Sequence, residues 1–178
     1  MRLKSEVIGH RYPTKVGARD PAFDRSMVRM TADQIHLLRK SFAQVEPQSR
    51  VAALVFYRRL FALDPRLRPL FKSNIEEQAD KLMEMLAVAL SLTERLDVLE
   101  AELLKLGARH TVYGVRDEHY VTVGTAMLDM LSEVLGKDFT PAIRQAWSDF
   151  YTFTADTMKR GGRGTAKNRT SMNPVAQR

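Results

Sequence analysis

One apolar stripe that ends in a histidine constrains this chain more than any other feature. Leu96, Leu99, Leu103 and Leu106 follow one another at steps of three and four residues, and the next step of four reaches His110. That spacing places all five side chains on one face of an α-helix. An imidazole on such a face is either a hydrogen-bonded core histidine or a ligand of a buried metal or metal cofactor. The stripe alone leaves both interpretations open.

The composition excludes several classes of site. The chain has 178 residues, enough for one domain with a sizeable core. It contains no cysteine, which excludes disulfides, thiolate metal sites and cysteine nucleophiles. No apolar run approaches the roughly 18 residues of a membrane span, and the N-terminus has no segment like a signal peptide. We therefore expect a cytoplasmic protein without a membrane span.

The net charge of +7 is unevenly distributed along the chain. Residues 1–30 carry a net +4 and residues 159–178 carry +6, whereas residues 31–158 carry −3. A folded nucleic-acid-binding domain would have a basic face on its body, so we expect no specific nucleic-acid partner. We predict a folded domain over 31–160, between a basic, poorly ordered N-terminal extension and a basic, disordered tail over 161–178 that begins with glycines.

Helical periodicity runs through the body, and no useful period-two alternation interrupts it, so the fold class expected is all-α. The boundary signals are two capping boxes, a proline after the second helix, an acidic cap, a terminal glycine and a proline at a first helical position. Helices are predicted from Thr31, over about 48–63, from Ser73 to about 92, around His110, over about 117–135 and from Pro141 to about 159. Gln34 and Glu76 complete the capping boxes that begin the first and third of these helices.

Three further helices also place one polar side chain on an apolar face. These side chains are Tyr57, Gln78 and Tyr120, and each shares its stripe with apolar residues at steps of three and four. A buried polar group without a partner costs about 1–3 kcal/mol, so such groups need each other or a ligand. The alternative is that their tips reach water, which is common for tyrosine and less so for glutamine.

The order of these residues resembles the bacterial globins, which include the globin domain of flavohaemoglobins and related single-domain haemoglobins. The resemblance covers residues 31–160 and implies a globin fold, a three-over-three helical sandwich around haem b. The residues that carry it are Tyr57 within 56–61, Asp64-Pro65, Phe71, Gln78, His110 within 109–115, Tyr120 with Gly124, and Ala146-Trp147.

The resemblance assigns a role to each residue of the haem site. His110 would be the proximal ligand of the haem iron, with its other ring nitrogen bonded to the carbonyl of Leu106. Phe71 would pack against the haem plane. Tyr57 and Gln78 would be distal hydrogen-bond donors to bound oxygen.

Three assignments lie at the edge of this site. Leu82 would form an apolar wall of the distal side, and Lys81 would face either a haem propionate or only solvent. Tyr120 matches a tyrosine that flavohaemoglobins pair with the proximal histidine and a glutamate. The matching glutamate position falls near Gly162, where no acid stands. His119 lies off the stripe, so we expect it at the surface.

The resemblance implies reversible binding of oxygen for storage, delivery or scavenging, with nitric oxide and other diatomic gases as further ligands. One alternative is a nitric oxide dioxygenase working with a separate reductase, because the chain has no dinucleotide-binding fingerprint. Another is a haem-based gas sensor that acts through the basic tails. A haem-free helical domain is the remaining alternative.

Overall fold

Six α-helices form the protein in the computed structural model, which describes residues 30–71 and 74–171 and the side chains up to residue 164. No strand lies within these ranges, so the predicted all-α class is confirmed. None of the described helices has both the length and the apolar run needed to cross a bilayer. The helices are α1 (Ala32–Val45), α2 (Ser49–Leu63), α3 (Ile75–Ser91), α4 (Leu96–Val112), α5 (Asp117–Leu135) and α6 (Pro141–Ser171).

The predicted boundaries of the first two helices are confirmed. The Thr31 hydroxyl accepts from the Gln34 amide at 3.1 Å, and the Gln34 side chain accepts from the Thr31 amide at 2.9 Å, which completes the capping box. α2 ends before Asp64, whose carboxylate caps a short 3-10 helix, Pro65–Leu70. That helix brings the chain to Phe71 without a long loop.

The start of α3 differs from the prediction by one residue. Asn74 is the cap, because its side-chain oxygen accepts from the Glu76 amide at 3.1 Å. The predicted cap, Ser73, lies outside the described residues.

The start of α5 differs for a different reason. Asp117 is the first residue of the helix rather than its cap. The backbone N–H of Arg116 donates to Nδ1 of His119 at 3.2 Å, which holds the imidazole against the helix end. The prediction that His119 lies at the surface was wrong, because this contact leaves it only 8 % exposed.

The last helix is longer than predicted, so its predicted end near residue 159 was wrong. α6 continues through Gly161 and Gly162 to Ser171. A Cβ atom on Gly161 would overlap the carbonyl oxygen of Leu104, and one on Gly162 would overlap the hydroxyl of Thr111. These glycines are therefore points where α6 lies directly on α4, not a flexible linker. The predicted N-terminal extension lies outside the described residues except for Met30.

The core is centred on α6, which packs against α1, α4 and α5. Trp147 and Phe150 of this helix are among the largest fully buried side chains of the core. The indole N–H of Trp147 donates to the Ser41 hydroxyl of α1 at 2.9 Å, so the polar atom of the largest core side chain has a partner. Because α6 also contacts α4 through the glycines, the core fixes the helix that carries His110.

A substitution at Gly107 tests the close contact between α4 and α6. A Cβ atom there would overlap the backbone carbonyl of Met158, which no side-chain rotation relieves. Gly107→Ala should lower the free energy of unfolding by about 1–3 kcal/mol, because overpacking outweighs the gain in helix propensity. Urea unfolding measures this. Gly164→Ala is the matched control, since a Cβ atom there meets nothing; equal stability of the two variants would contradict the contact.

Candidate haem site

His110 lies in the last turn of α4 with its ring half-buried. Its Nδ1 is 3.0 Å from the carbonyl oxygen of Leu106, the hydrogen bond that the sequence predicts. A carbonyl only accepts, so the proton is on Nδ1 and the lone pair is on Nε2. Burial lowers the pKa of His110, the Leu106 bond raises it in part, and the charge of Arg109 lowers it further. The ring therefore offers a neutral Nε2, which has no partner among the described residues.

A cluster of three aromatic rings forms the other half of the site. Tyr57 of α2 is 5 % exposed, and its ring centroid lies 5.9 Å from Phe61 and 5.4 Å from Phe71. The Phe61 and Phe71 centroids are 5.5 Å apart, which closes the triangle. Phe61 was not predicted as a site residue, although its position four residues after Tyr57 on the same stripe was a signal for it.

Tyr57 and Gln78 come together across α2 and α3. The Tyr57 hydroxyl donates to the backbone carbonyl of Gln78 at 3.2 Å. Burial raises the pKa of Tyr57 to about 12, so the hydroxyl remains a neutral donor at physiological pH. The half-buried side-chain amide of Gln78 makes no hydrogen bond within the described part of the chain. The Tyr57 hydroxyl and the Gln78 amide therefore lie side by side as hydrogen-bond donors. Only the Gln78 amide has no partner among the described residues.

The remaining predicted residues fall in three different environments. Leu82 is half-buried and packs against the core. Lys81 is exposed and makes no ion pair with a described residue, so both of its predicted environments stay open. Tyr120 is buried between α5 and α6: its carbonyl accepts from the Tyr151 hydroxyl at 2.5 Å, and the Lys159 ammonium lies 5.6 Å from its ring centroid. None of these contacts joins Tyr120 to His110.

No described carboxylate bonds to the ring of His110. The position near Gly162 lies directly against Thr111 and leaves no room for a longer side chain without a shift. The nearby acid Asp117 is engaged by Arg163, with 3.0 Å between nitrogen and oxygen. The backbone carbonyl of Leu106 is therefore the acceptor that orients His110.

The turn after α4 brings the two halves of the site to one side of the protein. Gly114 has φ of 87°, which favours glycine, and a Cβ atom there would be 3.7 Å from the side chain of Leu70. Leu70 immediately precedes Phe71, and Gly114 follows His110 by four residues. The histidine segment and the aromatic cluster are therefore neighbours.

The residues at this site fit a haem group. A flat, largely apolar cofactor with an iron centre needs an apolar border, one neutral imidazole and few polar groups. Half-buried apolar side chains that pack against the core are available for such a border, among them Phe61 and Phe71 of the aromatic cluster and Leu106 beside His110. Nε2 of His110 would supply the ligand atom, and the amide of Gln78 and the hydroxyl of Tyr57 would supply donors.

Comparison with known proteins decides the family, because residues 54–158 match the family described as Globin. The chain belongs to the globin family. Neuroglobin-2 of Oncorhynchus mykiss is 30 % identical over 158 residues, which are 81 % of this chain and 99 % of the relative. The predicted globin fold is thereby confirmed, and membership of the family supports binding of haem and of diatomic gases.

Two solved structures resemble this globin closely in fold. One is an engineered carbene transferase from Rhodothermus marinus, whose name also describes it, provisionally, as a nitric oxide dioxygenase. It is 27 % identical, with 80 % of this chain and 98 % of the other covered and a TM-score of 0.64. The other is a hexacoordinated haem protein of an anhydrobiotic tardigrade, which is 19 % identical, with 79 % and 99 % covered and a TM-score of 0.69. At 19 % identity, the likeness to the tardigrade protein concerns the fold alone.

Proposed function

We propose that this globin binds haem b through Nε2 of His110 and reversibly binds oxygen, for storage, delivery or scavenging. The observation that carries the proposal is the hydrogen bond from Nδ1 of His110 to Leu106, because it leaves Nε2 as a neutral ligand atom. The b type is supported by the sequence before the histidine. A covalently attached haem needs cysteines at the positions that Leu106 and Arg109 occupy, and the chain contains no cysteine.

Each residue of the site has a defined task in this proposal. Bound haem iron supplies one coordination position for His110 and one for a diatomic gas. The Leu106 carbonyl fixes the tautomer and the ring orientation of His110. The Gln78 amide donates a hydrogen bond to the gas, and Tyr57 donates a second one by turning its hydroxyl from the Gln78 carbonyl to the gas. Phe61 and Phe71 keep water from the gas. Each such bond contributes about 0.5–1.5 kcal/mol, and 1.4 kcal/mol is a tenfold change in affinity.

We propose further that the protein is related to the bacterial globins of the flavohaemoglobin type. The pair formed by Tyr57 and Gln78 supports this relation. Coordination of the iron by a second histidine has no support among the described residues, because His36 is exposed on α1 and the ring of His119 caps α5. The distal side therefore offers donors rather than a sixth ligand.

Nitric oxide dioxygenation is the second candidate function. It is supported by the likeness to the Rhodothermus marinus protein and by the two distal donors. Nitric oxide, oxygen and one electron give nitrate in this reaction, and a separate reductase would supply the electron. Sustained nitrate production in the presence of a reductase and NADH would favour the dioxygenase, and a single turnover per haem would favour oxygen binding.

Replacement of His110 tests the haem proposal. The purified protein should show a Soret band, and His110→Ala should release haem to excess apomyoglobin at least about tenfold faster, because the iron loses its protein ligand. The change of the Soret absorption from the spectrum of this protein to that of holomyoglobin measures this rate. His36→Ala is the control, since His36 is exposed on α1. Equal release rates in all three proteins would contradict the assignment of His110.

Replacement of Tyr57 tests the distal donors. Tyr57→Phe removes one hydrogen bond to the gas, so the oxygen dissociation rate should rise by between about two- and tenfold. Stopped-flow displacement of oxygen by carbon monoxide measures it. Tyr113→Phe is the matched control, because Tyr113 is 65 % exposed and its hydroxyl has no partner among the described residues. An unchanged rate in Tyr57→Phe would remove Tyr57 from the distal site.

A further inference from the structure

His119 caps the start of α5 with a titratable ring. Its Nδ1 accepts the backbone N–H of Arg116 at 3.2 Å, and the residue is 8 % exposed. α1 begins in the same way, because the side-chain oxygen of Gln34, its third residue, accepts the backbone N–H of Thr31 at 2.9 Å. A capping box ordinarily has Glu or Gln at this third position. In α5 the position holds an imidazole, the side chain that changes its charge between about pH 5 and pH 8.

The capped N–H belongs to the turn that leads from the proposed iron ligand to α5. The backbone N–H of Val115 donates to the carbonyl oxygen of His110 at 3.0 Å, and the next N–H along the chain is that of Arg116. Two consecutive backbone N–H groups thus fix the turn, one to the last turn of α4 and one to the ring on α5. Release of the Arg116 N–H therefore weakens the hold of the turn on the segment that carries His110.

The bond to Arg116 requires a neutral ring. Nδ1 of His119 accepts only through its lone pair, and a proton on Nδ1 occupies that lone pair. In the neutral ring the proton is consequently on Nε2. Two guanidinium nitrogens of Arg116, Nε and Nη2, each lie 3.4 Å from this Nε2, so they are close neighbours of the ring and not donors to it. A ring with a second proton would lose its acceptor atom and also face a positive charge at short range.

The other charged groups around His119 do not replace it as an acceptor. Those of the turn, of α5, of the segment after α2 and of α6 form three ion pairs: Arg116–Glu118, Arg66–Asp64 and Arg163–Asp117. The hydrogen bond from Arg66 is the largest cause that lowers the pKa of Asp64, and the charge of His119 is the smallest. Each of these carboxylates is engaged by an arginine, so none of them is available to the Arg116 N–H when the ring is protonated.

We propose that His119 is a positioning residue for the proximal histidine and makes the hold on His110 dependent on pH. The neutral ring fixes the turn and, through the bond of Val115, the last turn of α4. As the pH falls, a second proton takes the lone pair of Nδ1, the Arg116 N–H loses its acceptor, and the turn loosens. The stabilisation is therefore present at high pH and lost at low pH. The connection to haem rests on the proposed function, because it acts through the iron ligand.

Hydrogen exchange tests the cap in the protein as purified, with dithionite and carbon monoxide added so that bound haem iron is diamagnetic. NMR gives the protection factor of the Arg116 amide, which is corrected for the intrinsic effect of pH, at about pH 7.5 and about pH 5.5. It should fall between about two- and tenfold, as expected for one hydrogen bond. The Thr31 amide, which Gln34 caps, is the internal control and should keep its protection.

Two substitutions separate the titration from the cap. H119Q keeps an acceptor at the third position of α5 and removes the titration, so the Arg116 amide should be protected equally at both pH values. H119A removes the acceptor, so protection should be low at both. H36Q removes an exposed histidine of α1 and should behave like the unmodified protein.

Haem transfer to excess apomyoglobin tests the connection to His110. Acid speeds transfer from every variant, because protons compete with the iron for Nε2 of His110, so the comparison is with H119Q at the same pH. The two proteins should release haem equally fast at about pH 7.5. At about pH 5.5 the unmodified protein should release it between about two- and tenfold faster than H119Q.

Constant protection of the Arg116 amide in the unmodified protein would overturn the inference. An equal fall at the Thr31 amide would overturn it too, because acid would then loosen the whole protein, and so would the same pH dependence in H119Q. Equal haem release from the unmodified protein and H119Q at about pH 5.5 would refute the role of His119 in positioning His110. A protein without a Soret band would contradict the proposed function, whereas loss of protection confined to Arg116 would still support the pH-dependent cap.

Discussion

The direct contact of α6 with α4 is the constraint on which the site depends. Gly107, Gly161 and Gly162 let the two backbones approach without intervening side chains, and Trp147 anchors α6 to α1 through Ser41. The last turns of α4 therefore lie against a rigid, fully packed neighbour. His110 stands on those turns, with Thr111 touching α6 beside it. The packing of α4 on α6 positions the backbone that carries His110, and the bond to the Leu106 carbonyl orients its ring.

The same close contact determines the chemistry of the proximal side. A Cβ atom on Gly162 would overlap the Thr111 hydroxyl, so an acidic side chain at this position would require a shift of Thr111, and Asp117 is held by Arg163. The acceptor for Nδ1 is the neutral carbonyl of Leu106. A neutral acceptor gives the imidazole less anionic character than a carboxylate would, so the iron should be less electron-rich than in a flavohaemoglobin-type site. This favours stable gas binding over rapid turnover and supports oxygen binding as the first proposal.

Periodicity and cap signals predicted the helices, whereas the resemblance to the bacterial globins implied the bond of His110 to Leu106 and the pairing of Tyr57 with Gln78. Periodicity placed Tyr57, Gln78 and His110 on apolar faces, and the step of four residues from Leu106 to His110 is the backbone spacing of one helical turn. What the sequence did not predict depends on contacts between distant segments. Gly161-Gly162 has the composition of a linker, and only the position of α4 makes it a packing surface. His119 became buried because a backbone N–H of Arg116 bonds to its ring, which no periodicity predicts.

The iron–histidine stretching vibration of the ferrous, gas-free protein tests the central claim most directly. Resonance Raman spectra of protein reconstituted with 54Fe and 57Fe haem should show one isotope-sensitive band. Its frequency should be that of a neutral imidazole bonded to a carbonyl, below that of an imidazole paired with a carboxylate. Absence of an isotope-sensitive band would show that His110 does not bind the iron. A band at the higher frequency would show an anionic proximal partner and contradict the role of Leu106.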